Sequence, residues 1–162
     1  MAYPEFKNIQ NMWQAETTLG NDLFHNQEYT LALAHYKKAQ IVSEIMVKNV
    51  DDAGLFNIPA IQPFSVSCKN LANNFWVLKD IQKATNYFFY NIWCLKQLSK
   101  RKNLTEKLHL EAIDEWSKGV SAFIAFHHKT GQELTVDFWK DETYSMIKDA
   151  RLLLENRKTN LN

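Results

Sequence analysis

The sequence predicts an all-α protein, with about six helices arranged as three antiparallel hairpins. Three observations lead there. Among 162 residues there are only 4 Gly and 3 Pro, too few for the turn signals an all-β sandwich needs every 8–12 residues or so. Apolar residues make up 46% and aromatics 13%, ample material for one core, and the length suits a single domain. The apolar positions recur in steps of three and four, the rhythm of a helix with one buried face.

The elements follow in order. A first helix is expected over about 9–25, with Trp13, Leu19, Gly20, Leu23 and Phe24 on its apolar side. The polar break Asn26-Gln27-Glu28 leads into a second helix, about 29–50, striped by Ala32, Tyr36, Ala39, Ser43, Met46 and Val50. Its alanines allow a neighbour to come close. Residues 51–63 hold Gly54, Pro59 and Pro63 and are expected to be irregular, packed on the core by Leu55, Phe56, Ile58 and Ile61. A third helix is expected over 65–77, carrying Cys68, Leu71, Ala72, Phe75 and Trp76. After Leu78-Lys79-Asp80 a fourth runs to about Lys100, with Ala84, Phe88, Asn91, Leu95 and Leu98 on its stripe. Asn103 and Glu106 have the spacing of a capping box for a fifth helix that carries Ile113, Trp116, Val120 and Phe123 and stops near Gly131, a C′ glycine. A sixth is expected over about 135–157, with Phe138, Trp139, Met146, Ile147, Ala150 and Leu154.

Charge and cysteine content narrow the function classes. Lys+Arg 19 against Asp+Glu 18 leaves a net charge of +1, without the cationic field by which proteins displace counterions from phosphates. Nucleic acid is not expected as a partner. The basic run Lys100-Arg101-Lys102 falls at a helix end, where it complements the helix dipole. Cys68 and Cys94 form no CxxC and no zinc spacing, which reads as two thiols in a reducing compartment. No apolar run approaches the roughly 18 residues of a membrane span, and the first residues resemble no signal peptide. A cytoplasmic protein without a membrane partner is expected.

The search for catalytic chemistry finds little. Glu106-x-x-His109 has the spacing used in di-iron bundles, and Asp22-x-x-His25 is a looser echo, but such sites need two complete pairs plus two further glutamates. A solvated helix face explains both. His127-His128 suit a helix C-terminus. No phosphate loop, dinucleotide fingerprint or nucleophile elbow occurs, and Ser65, Ser67 and Cys68 have no neighbouring histidine in sequence. Neither an enzyme nor a bound cofactor or metal is expected. The aromatics Phe75, Trp76, Tyr87, Phe88, Phe89, Tyr90 and Trp93 are too many for one helix face, so one or two are expected at an interface, a homodimer being one form of it.

An internal repeat organises the chain. Ala32 and Ala84 stand 52 positions apart. On that offset Leu19 matches Leu71, Gly20 matches Ala72, Leu23 matches Phe75, Tyr36 matches Phe88, and Ala39 meets Asn91. The run Leu19-Gly20-x-x-Leu23…Ala32-x-x-x-Tyr36-x-x-Ala39 resembles a tetratricopeptide-repeat (TPR) unit, whose small residues sit where the paired helices come closest. On this reading Ala32 and Ala84 lie opposite Gly20 and Ala72, and Tyr36 and Phe88 fill the gap toward the next pair. Three features depart from the family: Glu16 and Cys68 replace its tryptophan, no proline ends the second helices, and 52 residues exceed the usual ~34. Repeat one then covers about 13–50, the insert 51–63, repeat two about 64–101, and a divergent capping hairpin about 104–157.

The resemblance implies an α-α superhelix with a concave groove lined by the first helix of each pair. Its groove positions fall at Thr17, Asn21 and Phe24, and at Lys69, Asn73 and Trp76. In peptide-binding members, asparagines at the positions of Asn21 and Asn73 hold a peptide backbone, and basic residues clamp a carboxylate. Lys69 suits that clamp, whereas Thr17 takes the matching place in repeat one. The implied role is a non-catalytic adaptor or chaperone for a partner peptide or helix. Bacterial type III secretion chaperones of about three such pairs are similar in size. The alternatives are a self-associating structural protein whose insert blocks the groove and, third, a metal-dependent helical enzyme.

Overall fold

In a computed structural model, residues 1–131 and Lys148 are described, and they are all-α, with no strand among them. Six helices follow one another: α1 (Tyr3–His25), α2 (Tyr29–Lys48), α3 (Val50–Leu55), α4 (Ile61–Val77), α5 (Ile81–Ser99) and α6 (Glu106–Thr130). The helix expected over 135–157 lies outside the described residues. The chain divides into two compact units, Met1–Asn91 and Ile92–Asn162, with the boundary inside α5.

In the first unit, α1 and α2 form an antiparallel hairpin, and α4 packs antiparallel to α2. α4 and the first part of α5 form the second hairpin, marked by the stacked rings of Phe75 and Tyr87 and by Asn91 reaching Ser65 Oγ. The two turns are the same structure. In the first, the N–H groups of Asn26, Gln27 and Glu28 donate to the carbonyls of Asp22, Phe24 and Leu23. In the second, those of Leu78, Lys79 and Asp80 donate to Asn74, Trp76 and Phe75. Each is a Schellman closure, and each places a non-glycine in the left-handed region, Gln27 at φ 64° and Lys79 at φ 65°. Every donor and acceptor of the first turn maps onto the second at the 52-residue offset. Asp80 then caps α5: its carboxylate accepts from the Lys83 ammonium at 2.6 Å and the Lys83 N–H at 3.1 Å, which holds its pKa below the usual carboxylate value.

Burial repeats as well. Ala32 and Ala84, Tyr36 and Phe88, Ala39 and Asn91, and Gly20 and Ala72 are all buried. One detail differs from expectation. A Cβ placed on Gly20 would lie 2.7 Å from Cδ1 and Cε1 of Tyr36, so the small residue makes room for the tyrosine ring of its own hairpin.

Several boundaries also differ. α1 starts at Tyr3, six residues before the expected start, because Pro4 sits in its first turn, where a missing N–H costs nothing. Glu5 Oε2 accepts from the Ala2 N–H at 3.0 Å and fastens that start. The segment 51–63 is not wholly irregular: α3 opens it and α4 begins within it, with Pro63 again inside a first turn. This insert grips the beginning of α1, through Asp52 on the N-terminal ammonium at 2.7 Å and Phe56 edge-on to Tyr3.

In the second unit, α6 begins with Thr105 as its N-cap, the hydroxyl accepting from the Leu108 N–H. Asn103 instead accepts from Arg101, so the capping-box spacing was two residues out of register. Gly131 ends α6 in the left-handed conformation, φ 67°, as expected. Ala112, Trp116, Val120, Phe123 and His127 line its buried face. His127 does not serve the exposed helix end. It is buried against Phe123 and Phe126, and burial pushes its pKa below the ordinary histidine value.

Candidate functional site

The groove positions all lie in the first unit, on α1 and α4, and Trp13 ties those two helices together: its indole N–H donates to Ser67 Oγ at 2.9 Å. One turn further along α1, Thr17 is buried and its hydroxyl has no hydrogen-bond partner. Another turn on, Asn21 is half-buried. Its Oδ1 accepts from Tyr36 Oη at 2.9 Å and stands 3.5 Å from Asn70 Nδ2.

That bond has a chemical consequence. The amide oxygen of Asn21 is occupied from within, which sets the amide's orientation and leaves its NH₂ as the group on offer. A donor held in place is what a peptide carbonyl needs. Burial raises the Tyr36 phenol to about 12, so the hydroxyl stays protonated and keeps donating at any physiological pH.

On α4, Asn73 is exposed and Lys69 is half-buried, and neither makes a hydrogen bond or ion pair among the described residues. Lys69 is therefore a cation available to an anionic partner group. Phe24 packs edge-on against Tyr29 at 5.2 Å and tilted against Tyr36 at 6.4 Å. It belongs to the hairpin's own packing while remaining part-exposed. Trp76 is half-buried, and its carbonyl accepts from the Lys79 N–H in the second tight turn.

The structure thus brings Asn21 to α4, but against Asn70, one turn before Asn73. The 52-residue offset pairs Asn21 with Asn73 in the repeat, whereas the crossing of α1 over α4 decides which side chains meet. Asn70 was missed because that crossing leaves no mark in a single sequence. Asn74 was also missed. Fully buried, it donates to the Tyr29 carbonyl at 3.0 Å and fixes the start of α2 to the end of α4.

Among the described residues, the side chains that the sequence offered as catalytic candidates are not brought together. Ser65 and Ser67 are spent on Asn91 and Trp13. Glu106 is exposed while His109 is buried, and Asp22 and His25 are both exposed. Among the described residues there is no group of three or more His, Cys, Asp or Glu placed to hold a metal, and no helix long and apolar enough to cross a membrane. Neither Cys68, which is buried, nor Cys94, which is half-buried, is part of a disulfide. Of the clustered aromatics, Phe75 and Phe88 are buried, while Phe89 and Trp93 are 41% and 61% exposed.

Comparison with known proteins adds a family and no chemistry. Residues 11–143 match a family described as a protein of unknown function (DUF2753). Among curated proteins, none matches the chain.

Proposed function

The chain belongs to the DUF2753 family of proteins of unknown function, and from that starting point we propose that it is a non-catalytic protein-interaction module of TPR-like repeats. Its groove between α1 and α4 holds an extended segment of a partner protein. Asn21 and Asn73 bond the peptide backbone, Lys69 attracts a carboxylate, and Phe24 and Trp76 give apolar contact at the groove's end.

The observation that carries this reading is the duplicated hairpin, whose turn repeats bond for bond at the offset found in the sequence. Stacked hairpins of this kind bury one face of each pair and leave the first helices lining a concave surface. The insert supports an accessible groove: its grip on Met1 and Tyr3 lies ~21 Å along α1 from Thr17, at 1.5 Å per residue. That location speaks against the blocked, purely self-associating form. A cytoplasmic adaptor or chaperone is the role such a module fits.

The test is a pull-down from cells of the native host with wild type and with Asn21→Ala/Asn73→Ala. The variant keeps its helical circular dichroism and is expected to lose the partners that wild type retains. An identical set of bound proteins would reject the groove.

A further inference from the structure

We propose that the groove reads an internal acidic side chain of its partner, with an aromatic residue three positions away from it, and that it does not read a free C-terminus. This rests on the groove reading above and names the class of segment that fits it.

The two helices that line the groove run parallel and close to the register of the repeat. Trp13 meets Ser67, 54 positions on, and Asn21 meets Asn70, 49 positions on. These contacts bracket the 52-residue offset. Thr17 is therefore level with Lys69, and Phe24 with Trp76, to within about a turn. From Lys69 to Trp76 is ~10 Å along α4 at 1.5 Å per residue, two turns on one face. A peptide in the polyproline II form makes one turn in three residues and rises ~9 Å in doing so. Its positions i and i+3 then face the same way, one against Lys69 and the other against Trp76 and Phe24. That form makes no internal hydrogen bonds, so the carbonyls between are open to the amide groups of Asn21 and Asn73.

Charge decides which end takes the acid. Lys69 is the only charged residue of α4. On α1, Glu16 is engaged by His35 of α2 at 2.7 Å. Lys7 donates to Gln10 at 2.8 Å and lies ~15 Å before Thr17 along the helix. Glu5 is farther still and holds the Ala2 N–H. The Phe24 end carries exposed Asp22, His25, Glu28 and Lys79, acids beside cations, and Asp80 is bound by Lys83. An acid gains nothing there, while an aromatic residue gains two rings. A terminal carboxylate is gripped best by two donors at once. The second place belongs to Thr17, whose hydroxyl is buried out of a ligand's reach. One half-exposed ammonium suits one side-chain carboxylate that keeps part of its water.

Fluorescence anisotropy with short synthetic peptides, blocked at both ends in a proline- and serine-rich frame, provides the test. One probe has glutamate three residues before tryptophan, and a second has the reverse order. One of the two is expected to bind wild type, more weakly as salt rises. Glutamine in place of glutamate, and separately tryptophan moved next to glutamate, each weaken it about fivefold or more. Lys69→Ala brings the glutamate probe down to the level of the glutamine probe and leaves the latter unchanged, which a loss of folding would not do. A peptide ending at the glutamate with a free carboxylate binds no better than its blocked form. Equal binding of the glutamate and glutamine probes, indifference to spacing, tighter binding of the free carboxylate, or no binding at all would each overturn the proposal. The groove itself is judged separately. Asn21→Ala/Asn73→Ala is expected to weaken every probe alike; unchanged binding in that variant would reject the groove, and where no probe binds the pull-down above decides it.

Discussion

Trp116→Ala is expected to cost about 3–5 kcal/mol, the range for emptying a buried aromatic site. Trp116 is fully buried at the middle of the α6 stripe, with Ala112 and Val120 one turn to either side and Phe123 two turns on, all buried. Small neighbours such as Ala112 cannot close over the space a lost indole leaves. Trp116→Phe makes a discriminating companion. The indole N–H is buried without a hydrogen-bond partner, so phenylalanine gives up volume while also removing an unsatisfied donor. Urea denaturation followed by circular dichroism should rank wild type first, Trp116→Phe close behind, and Trp116→Ala far below. An alanine variant as stable as wild type would mean that α6 has no core of its own around this residue.

Gly20→Leu is expected to cost about 3 kcal/mol, at the upper end for overpacking. A single Cβ at this position already comes within 2.7 Å of the Tyr36 ring. The ring cannot swing aside freely, since it is 3% exposed, bonded through its hydroxyl to Asn21, and packed against Phe24. Gly20→Ala is the milder case, because a gain of about 1 kcal/mol in helix propensity offsets part of the clash. Tyr36→Leu vacates the contested space, so adding Gly20→Leu to it should cost much less than in wild type. Additive losses would show that the two residues do not meet. Asn21 is oriented through the same tyrosine, so Gly20→Leu should also weaken any groove ligand.

Much of this arrangement was legible in the residues. Asn26-Gln27-Glu28 stood out as a polar break and Leu78-Lys79-Asp80 as a brief break between apolar stripes, and the paired alanines located the hairpins. Periodicity failed where an element is short or a local signal has two meanings. α3 spans less than two turns, too few for a stripe to register, and Pro63 read as part of an irregular segment although it lies in the first turn of α4, as Pro4 lies in that of α1. The contact of Gly20 with Tyr36 and the meeting of Asn21 with Asn70 depend on helix rotation and crossing angle, set by all the packed side chains together. α2 also carries a second apolar stripe, Leu31, Ala34, Ile41 and Ile45, which is exposed. The buried stripe masked it, because a helix apolar on two faces gives no single clean period.

The central claim is that the second hairpin is docked on the first, with α4 held against α1 so that the groove exists. A double-mutant cycle on Trp13→Phe and Ser67→Ala tests it most directly, because each change removes one end of the shorter of the two side-chain hydrogen bonds that join these helices among the described residues, 2.9 Å against 3.5 Å for Asn70 to Asn21. Docking predicts a coupling of about 1 kcal/mol between the two substitutions in urea denaturation. Strictly additive losses would mean that α1 and α4 are not joined there and that the proposed groove has no wall.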